Sequence, residues 1–133
     1  MIADTCFLID IQNSEQNAVE KAILLEGEKT DIKIPDISVC ELYIGVGKGD
    51  DTEKNREIVE DFIEDYEILS SDLDTMRKAG EYEGIIQADD DSIGLADAII
   101  GAMADNLEEA VVTDNKKDFS KIPDDLEIQV YCE

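Results

Sequence analysis

Apolar and polar positions along the first half of the chain predict short strands that alternate with helices. Residues 1–5 are mostly apolar and predict a first strand. The segment "SEQNAVEKAILLEGE" then places Ala18, Ala22 and Leu25 at helical spacing, and Gly27 can close that helix. "DIKIPDIS" predicts a second strand, and "SVCELYIGVGKG" a short helix that ends in glycines.

The second half of the chain continues the same alternation. "DTEKNREIVEDFIEDY" predicts an amphipathic helix that buries Ile58, Val59, Phe62 and Ile63, and "EILS" predicts the third strand. "DLDTMRKAGEYEGIIQA" and "IGLADAIIGAMADNL" predict two further helices, while "EEAVVTD" and "LEIQVYC" predict strands four and five. Strands separated by helices indicate an α/β fold, with a parallel sheet of about five strands that helices cover on both faces.

Length and composition are consistent with one compact domain over residues 1–133, since 43% of the residues are hydrophobic. No apolar run approaches the ~20 residues that cross a bilayer, so we expect a cytoplasmic protein with no membrane partner. The three cysteines, Cys6, Cys40 and Cys132, are widely spaced and form no C-x-x-C pair. They therefore suggest buried thiols and neither a disulfide framework nor a zinc site.

Charge and the absence of histidine narrow the possible chemistry. The chain has no histidine, which excludes Ser-His-Asp and Cys-His nucleophile systems and imidazole zinc sites. It has 35 acidic and 11 basic side chains, a formal net charge of −24. Such self-repulsion is screened by molar salt, so the surface resembles that of a halophilic protein, with an ordinary acidic protein as the alternative.

Several acids follow predicted strands or begin predicted helices, at positions that parallel strands bring to one edge of a sheet. These candidates are Asp4, Glu41, Asp97, Asp114 and Asp118. Carboxylates that share one site repel each other unless a cation lies between them, and an oxygen-only ligand set favours Mg²⁺ or Mn²⁺. The pattern therefore suggests a divalent metal site at the carboxyl ends of the strands.

Each acid also has a structural interpretation that the sequence leaves open. Asp4 could cap a turn, and Ser38 with Glu41 has the spacing of a capping box. Asp97 could complement the dipole of its own helix. Asp114 and Asp118 belong to a polar loop, "TDNKKDFSKIPDD", in which acids can simply be solvated.

Four segments in order resemble the signature blocks of the PIN-domain ribonucleases. They are "ADTCFLID", "ISVCELYIG", "LADAIIGAMA" and "AVVTDNKKDF". In length and layout the chain is most similar to the VapC toxins of type II toxin–antitoxin modules. The resemblance implies an α/β/α sandwich and a Mg²⁺- or Mn²⁺-dependent endoribonuclease, and it makes a functional role for Glu41 the better interpretation.

By this resemblance Asp4, Glu41 and Asp97 match the first three acids of the family, while Asp118 and Asp114 compete for the fourth. The resemblance assigns metal binding to Asp4, Asp97, Glu41 and Asp118. It also suggests substrate contacts from a further set of residues, namely Thr5, Asn115, Lys116 and Lys117. The partners it implies are an RNA substrate, a VapB-like antitoxin and a second copy of the chain.

We expect hydrolysis by a metal-activated water, which leaves a 5′-phosphate. Two alternatives remain at this stage: an RNA-processing nuclease of the same fold without an antitoxin, and a non-catalytic binding module. A phosphoacceptor domain with an aspartate-bound Mg²⁺ fits the order of the segments less well.

Overall fold

The computed structural model describes residues 1–132, so Glu133, the last residue of the expected domain, lies outside the described part. The strands are β1 (Ile2–Ala3), β2 (Lys33–Pro35), β3 (Glu67–Leu69), β4 (Val111–Thr113) and β5 (Ile128–Val130). The helices are α1 (Thr5–Gln12), α2 (Gln16–Gly27), α3 (Asp36–Lys48), α4 (Thr52–Ile63), α5 (Leu73–Ala88), α6 (Leu95–Leu107) and α7 (Lys116–Phe119).

The five strands form one parallel sheet in the order β3-β2-β1-β4-β5. This confirms the α/β prediction. From β1 the chain first moves outward to β2 and β3, then returns to the other side of β1 to form β4. The order therefore reverses between β1 and β4, which is where ligands bind in open parallel sheets.

Two apolar cores lie on opposite faces of this sheet, because successive residues of a strand point to opposite sides. Ile2 and Val111 pack with α5, α6 and α7 in one core. Ala3 and Val112, their neighbours in sequence, pack with α1, α2, α3 and α4 in the other. The molecule is thus a three-layer α/β/α sandwich. No helix within residues 1–132 has both the length and the apolar character needed to span a membrane.

Two helices and three details differ from the sequence-based prediction. The apolar run after Asp4 forms α1, for which the sequence predicted no helix, and the polar segment after β4 forms α7, which the sequence suggested to be a loop. Two of the three cysteines were expected to be buried but are exposed. Helix α3 begins at Asp36, two residues before the expected Ser38. Ile58 was predicted to be buried but is 50% exposed, whereas its neighbour Val59 is buried as predicted.

Candidate active site

Asp4 lies where β1 ends and α1 begins, and its carboxylate accepts three hydrogen bonds there. It is the N-cap of α1, and its Oδ1 accepts a hydrogen bond of 2.7 Å from the backbone N–H of Thr5. Its Oδ2 accepts hydrogen bonds from Thr113 Oγ1 at 2.7 Å and from Cys6 Sγ at 3.1 Å. Burial, and secondly the charge of Asp4, raise the pKa of the Cys6 thiol well above its usual range. The thiol therefore serves Asp4 as a neutral donor.

Glu41 reaches toward α1 and does not close a capping box. The N-cap of α3 is Pro35, so Ser38 lies inside the helix and its fully buried side chain has no N-cap role. The capping-box interpretation of Ser38 and Glu41 is therefore wrong. The hydroxyl of Thr5 donates to Glu41 Oε1 at 2.7 Å and lies 3.0 Å from Ser38 Oγ. Since a hydroxyl carries one hydrogen, Ser38 donates to Thr5 in return.

Asp97 lies in the first turn of α6, half-buried beside the other acids. Burial is the largest of the causes that raise the pKa of its carboxyl from the ordinary value of 3.8 to about 7. The charges of Asp4, Asp118 and Glu41 raise this pKa further, in that order. Four acids from distant parts of the chain therefore share one electrostatic environment.

The two candidates for the fourth acid occupy different environments. Asp118 lies in α7. Its Oδ2 accepts a hydrogen bond of 2.8 Å from Asn115 Nδ2, and its Oδ1 lies 3.3 Å from Lys121 Nζ. Asp114 is exposed, and its charge raises the pKa of Tyr131, not that of Asp97. The charge of Asp118, and not that of Asp114, therefore acts on Asp97.

The acids of the site act on one another, but within residues 1–132 they do not form a complete set of metal ligands. Among residues 1–132, no three Asp, Glu or Cys side chains are arranged so that they could hold a metal ion as they stand. Their chemistry nevertheless fits a hard divalent cation: the carboxylates supply only oxygen donors, and each raises the cost of ionising Asp97. A cation would relieve that mutual repulsion directly.

Comparison with known proteins then identifies the family. The PIN domain family model matches residues 1–125. The chain belongs to the PIN-domain family. This PIN domain is 29% identical over 99 residues to tRNA(fMet)-specific endonuclease VapC from Salmonella typhimurium, which covers 74% of each protein.

Two solved structures resemble this PIN domain along almost its whole length. A chain of VapBC2 from Rickettsia felis, crystallised with a DNA fragment from its promoter, has a TM-score of 0.83 at 25% identity, covering 97% of this chain and 96% of its own. A chain of DNA-bound VapBC from Salmonella typhimurium has the same TM-score at 27% identity, covering 98% and 97%. The similarity to VapC-type toxins suggested by the four sequence segments is therefore confirmed.

Three polar contacts of the PIN-domain site were not expected from the sequence. Ser38 and Thr113 are fully buried, and they hydrogen-bond to Thr5 and Asp4 respectively. Thr113 Oγ1 also accepts a hydrogen bond of 2.9 Å from the backbone N–H of Asn115. This bond connects the end of β4 to the start of α7. A threonine that ends a buried strand in "AVVTD" was the available signal, because a buried hydroxyl needs a partner.

The residues expected to contact substrate are divided between the interior and the surface of the PIN domain. Thr5 is buried and its hydroxyl is used by Glu41 and Ser38. Asn115 is half-buried against Asp118, whereas Lys116 and Lys117 are exposed in α7. Of these four residues, only the two lysines make no side-chain hydrogen bond to the acids of the site within residues 1–132.

Proposed function

We propose that this PIN domain is a metal-dependent endoribonuclease that acts as the toxin of a toxin–antitoxin module. One observation carries the proposal: acids at the N-cap of α1, in α3 and in α7 act on half-buried Asp97 in α6, and burial, followed by their charges, raises its pKa to about 7. Perturbed acids at the reversal point of a parallel sheet are typical of an active site. The similarity to a VapC named as a tRNA endonuclease supports RNA as the substrate.

The acids divide into two roles in this proposal. Asp4 and Asp97 would hold the principal Mg²⁺ or Mn²⁺, and Glu41 and Asp118 would complete the site. When bound, such an ion supplies Lewis acidity to the scissile phosphate and lowers the pKa of water. Glu41, which the Thr5 hydroxyl holds at 2.7 Å, orients the attacking water. Asp118 takes the role of the fourth acid in preference to the exposed Asp114.

Direct attack by water determines the product of this reaction. The chain lacks the histidines that commonly deprotonate the 2′-hydroxyl of RNA, so we expect no cyclic phosphate. Water attacking in line leaves a 5′-phosphate on one fragment and a 3′-hydroxyl on the other. Exposed Lys116 and Lys117 would contact the RNA backbone, because they place positive charge beside the site on an otherwise acidic surface.

A small VapB-like antitoxin is the partner that the solved relatives suggest, since both are VapBC complexes. A groove of about 680 Å³ lies at the amino ends of β2 and β3, and its lining could bind a segment of such an antitoxin. The groove is lined by apolar side chains and by charged ones that are mostly acidic, namely Ile11, Val19, Ala22, Ile23, Ile32 and Tyr66 with Glu26, Asp31, Asp65, Glu67 and Lys29. It would accept an apolar segment that carries lysine or arginine. A homodimer is the expected state of the toxin itself.

The first test is RNA cleavage by the purified chain with Mg²⁺, Mn²⁺ or EDTA at high salt. We expect cleavage that leaves 5′-phosphate ends with either ion, and no cleavage in EDTA. Glu41→Gln and Asp118→Asn should fold normally and lose cleavage by roughly 100-fold or more, as for other groups that act in the transition state. Asp125→Asn, which neutralises an exposed acid outside the site, is the matched control. Full activity in EDTA, or cyclic phosphate ends, would overturn the proposal.

A further inference from the structure

The turn that precedes α6 decides where Asp97 points, and α6 cannot hold this turn by itself. Its N-cap is Gly94, which has no side chain to accept a hydrogen bond from the first turn of the helix. Gly94 also has a φ of 94° and a ψ of 147°, a conformation that is essentially confined to glycine. The start of α6 must therefore be held by other parts of the chain.

Glu83 of α5 holds this turn from one side. Its side chain is buried, and its hydrogen-bond partners within residues 1–132 are all neutral donors. Oε2 accepts from the N–H groups of Ile93 at 3.2 Å and Gly94 at 2.9 Å, and Oε1 accepts from Ser92 Oγ at 2.6 Å and Gln87 Nε2 at 3.1 Å. The hydrogen bond from Ser92 is the largest cause that lowers the pKa of Glu83.

Lys121, which follows α7, holds the same turn from the other side. Its Nζ donates to the backbone oxygen of Ser92 at 3.1 Å and to Asp91 Oδ1 at 3.0 Å. The same ammonium lies 3.3 Å from Asp118 Oδ1. Lys121 thus connects the segment that carries Asp118 to the turn that leads into Asp97.

We propose that Glu83 and Lys121 are positioning residues, which meet at Ser92 and together fix Asp97 relative to Asp118. We call Glu83, Ser92 and Lys121 the Ser92 clamp. The inference rests on the proposed function, because positioning has consequences only if the two acids act together. Within residues 1–132 neither Glu83 nor Lys121 hydrogen-bonds to Asp97, so each acts through the backbone of the turn or through Asp118.

A purely structural role for these contacts explains the geometry less completely. An exposed ion pair such as Lys121–Asp91 contributes little to stability, and salt weakens it further. Burying the Glu83 carboxylate beside α6 requires four donors to compensate its desolvation. The ion pair and the buried carboxylate are both explained if they fix the position of the turn and do not serve the stability of the fold. Small displacements of acting groups cost large factors in rate.

The test compares clamp variants with variants that remove equivalent contacts elsewhere. Glu83→Ala and Lys121→Met should each lower kcat for RNA cleavage about tenfold or more while KM changes little, because the acids remain but lose their alignment. Glu83→Gln should keep most of kcat, since the Ser92 hydroxyl and the Gln87 amide can both rotate to accept from its amide group. The controls are Asp51→Ala, which removes the N-cap of α4, and Lys54→Met, which removes an exposed lysine.

A second measurement separates this inference from the proposed function. The rise in melting temperature that Mn²⁺ produces should be smaller in Glu83→Ala and Lys121→Met than in the wild type, and unchanged in both controls. If the wild type cuts no RNA but shows this pattern, the clamp stands and the ribonuclease proposal fails. If the clamp variants match the wild type in both kcat and Mn²⁺ response, or if the controls lose as much as they do, the clamp is overturned.

Discussion

Asp4 combines a structural and a functional position by using its two oxygens differently. Oδ1 caps α1 through the Thr5 N–H, while Oδ2 faces Thr113 and Cys6 at the end of β4. The turn-cap interpretation and the site interpretation of Asp4 are thus compatible. A carboxylate with 5% exposure is stable here because three donors replace its lost water.

Asp97→Asn tests the shared electrostatics at the residue scale. The pKa of Asp97 is about 7 in the folded chain and roughly 3.9 when unfolded, so the folded state binds the extra proton between these values. The contribution of Asp97 to stability therefore falls as pH rises from about 4 to 7 and stays low above that range. In EDTA, the Asn variant should gain stability relative to the wild type across that window.

Urea unfolding of both proteins at fixed salt, from pH 4.5 to 8, checks this expectation. If Asp97 only complemented the helix dipole, the Asn variant would instead be less stable by about 0.3–1 kcal/mol. A stability difference that does not change with pH would contradict the shared environment of the acids.

Thr5→Val tests whether the Thr5 hydroxyl orients Glu41. Valine has nearly the same shape but removes the hydroxyl that Ser38 and Glu41 both contact. We expect a loss of about 1–3 kcal/mol in unfolding free energy, because buried Ser38 loses its partner. RNA cleavage should also fall, whereas Thr5→Ser should keep it. Chemical unfolding and a cleavage assay measure the two effects. Equal activity in the Val and Ser variants would show that the Thr5 hydroxyl has no role in the site.

At the scale of elements, α6 and α7 present two of the four acids, and both are preceded by polar turns. Helix α7 has only four residues, so Asp118 depends on Asn115, Lys121 and the Thr113–Asn115 contact for its position. Helix α6 has thirteen residues, seven of them buried, and its N-cap Gly94 gives the first turn no side-chain hydrogen bond. The turns, more than the helices, therefore determine the geometry of the site.

Gly94→Ala tests the turn before α6. A Cβ at Gly94 would meet no other atom within 4 Å, so its cost comes from the backbone conformation alone. We expect a loss of about 1–3 kcal/mol in stability from this strain. Gly84→Ala is the control, because Gly84 is an open position inside α5 with helical backbone, where alanine should stabilise. Thermal unfolding that ranked the two variants in the opposite order would show that the turn tolerates an L-residue.

At the scale of the whole molecule, the net charge of −24 dominates the surface. Within residues 1–132 the lysines neutralise only some of the acids, as in the pairs Lys33–Glu109 and Lys78–Asp105. The remaining repulsion is long-ranged and is felt by every element. It favours any expanded state over the folded one when salt is low.

We therefore expect the melting temperature to rise by several degrees between ~0.1 M and ~2 M KCl, where the Debye length falls from about 10 Å to a few ångström. All melts are recorded in EDTA, so that metal binding does not contribute. A triple variant, Glu57→Gln, Glu60→Gln and Asp61→Asn, removes three exposed acids of α4 far from the site. It should be more stable at low salt and show a smaller salt dependence. A melting temperature that is flat in salt would refute the halophilic interpretation.

The sequence by itself determined the alternation of strands and helices, the parallel sheet and the acids at the carboxyl ends of its strands, because these follow from local periodicity and chain order. It failed at α1 and α7, where an apolar run and a polar run each allow more than one element. Only the tertiary structure decided that Glu41 bonds Thr5 instead of the Ser38 backbone, that Asp118 faces Asp97, and that Glu83 and Lys121 meet at Ser92. These contacts join residues from different elements, and hydrogen bonds and charge effects depend on distances in space that no local pattern encodes.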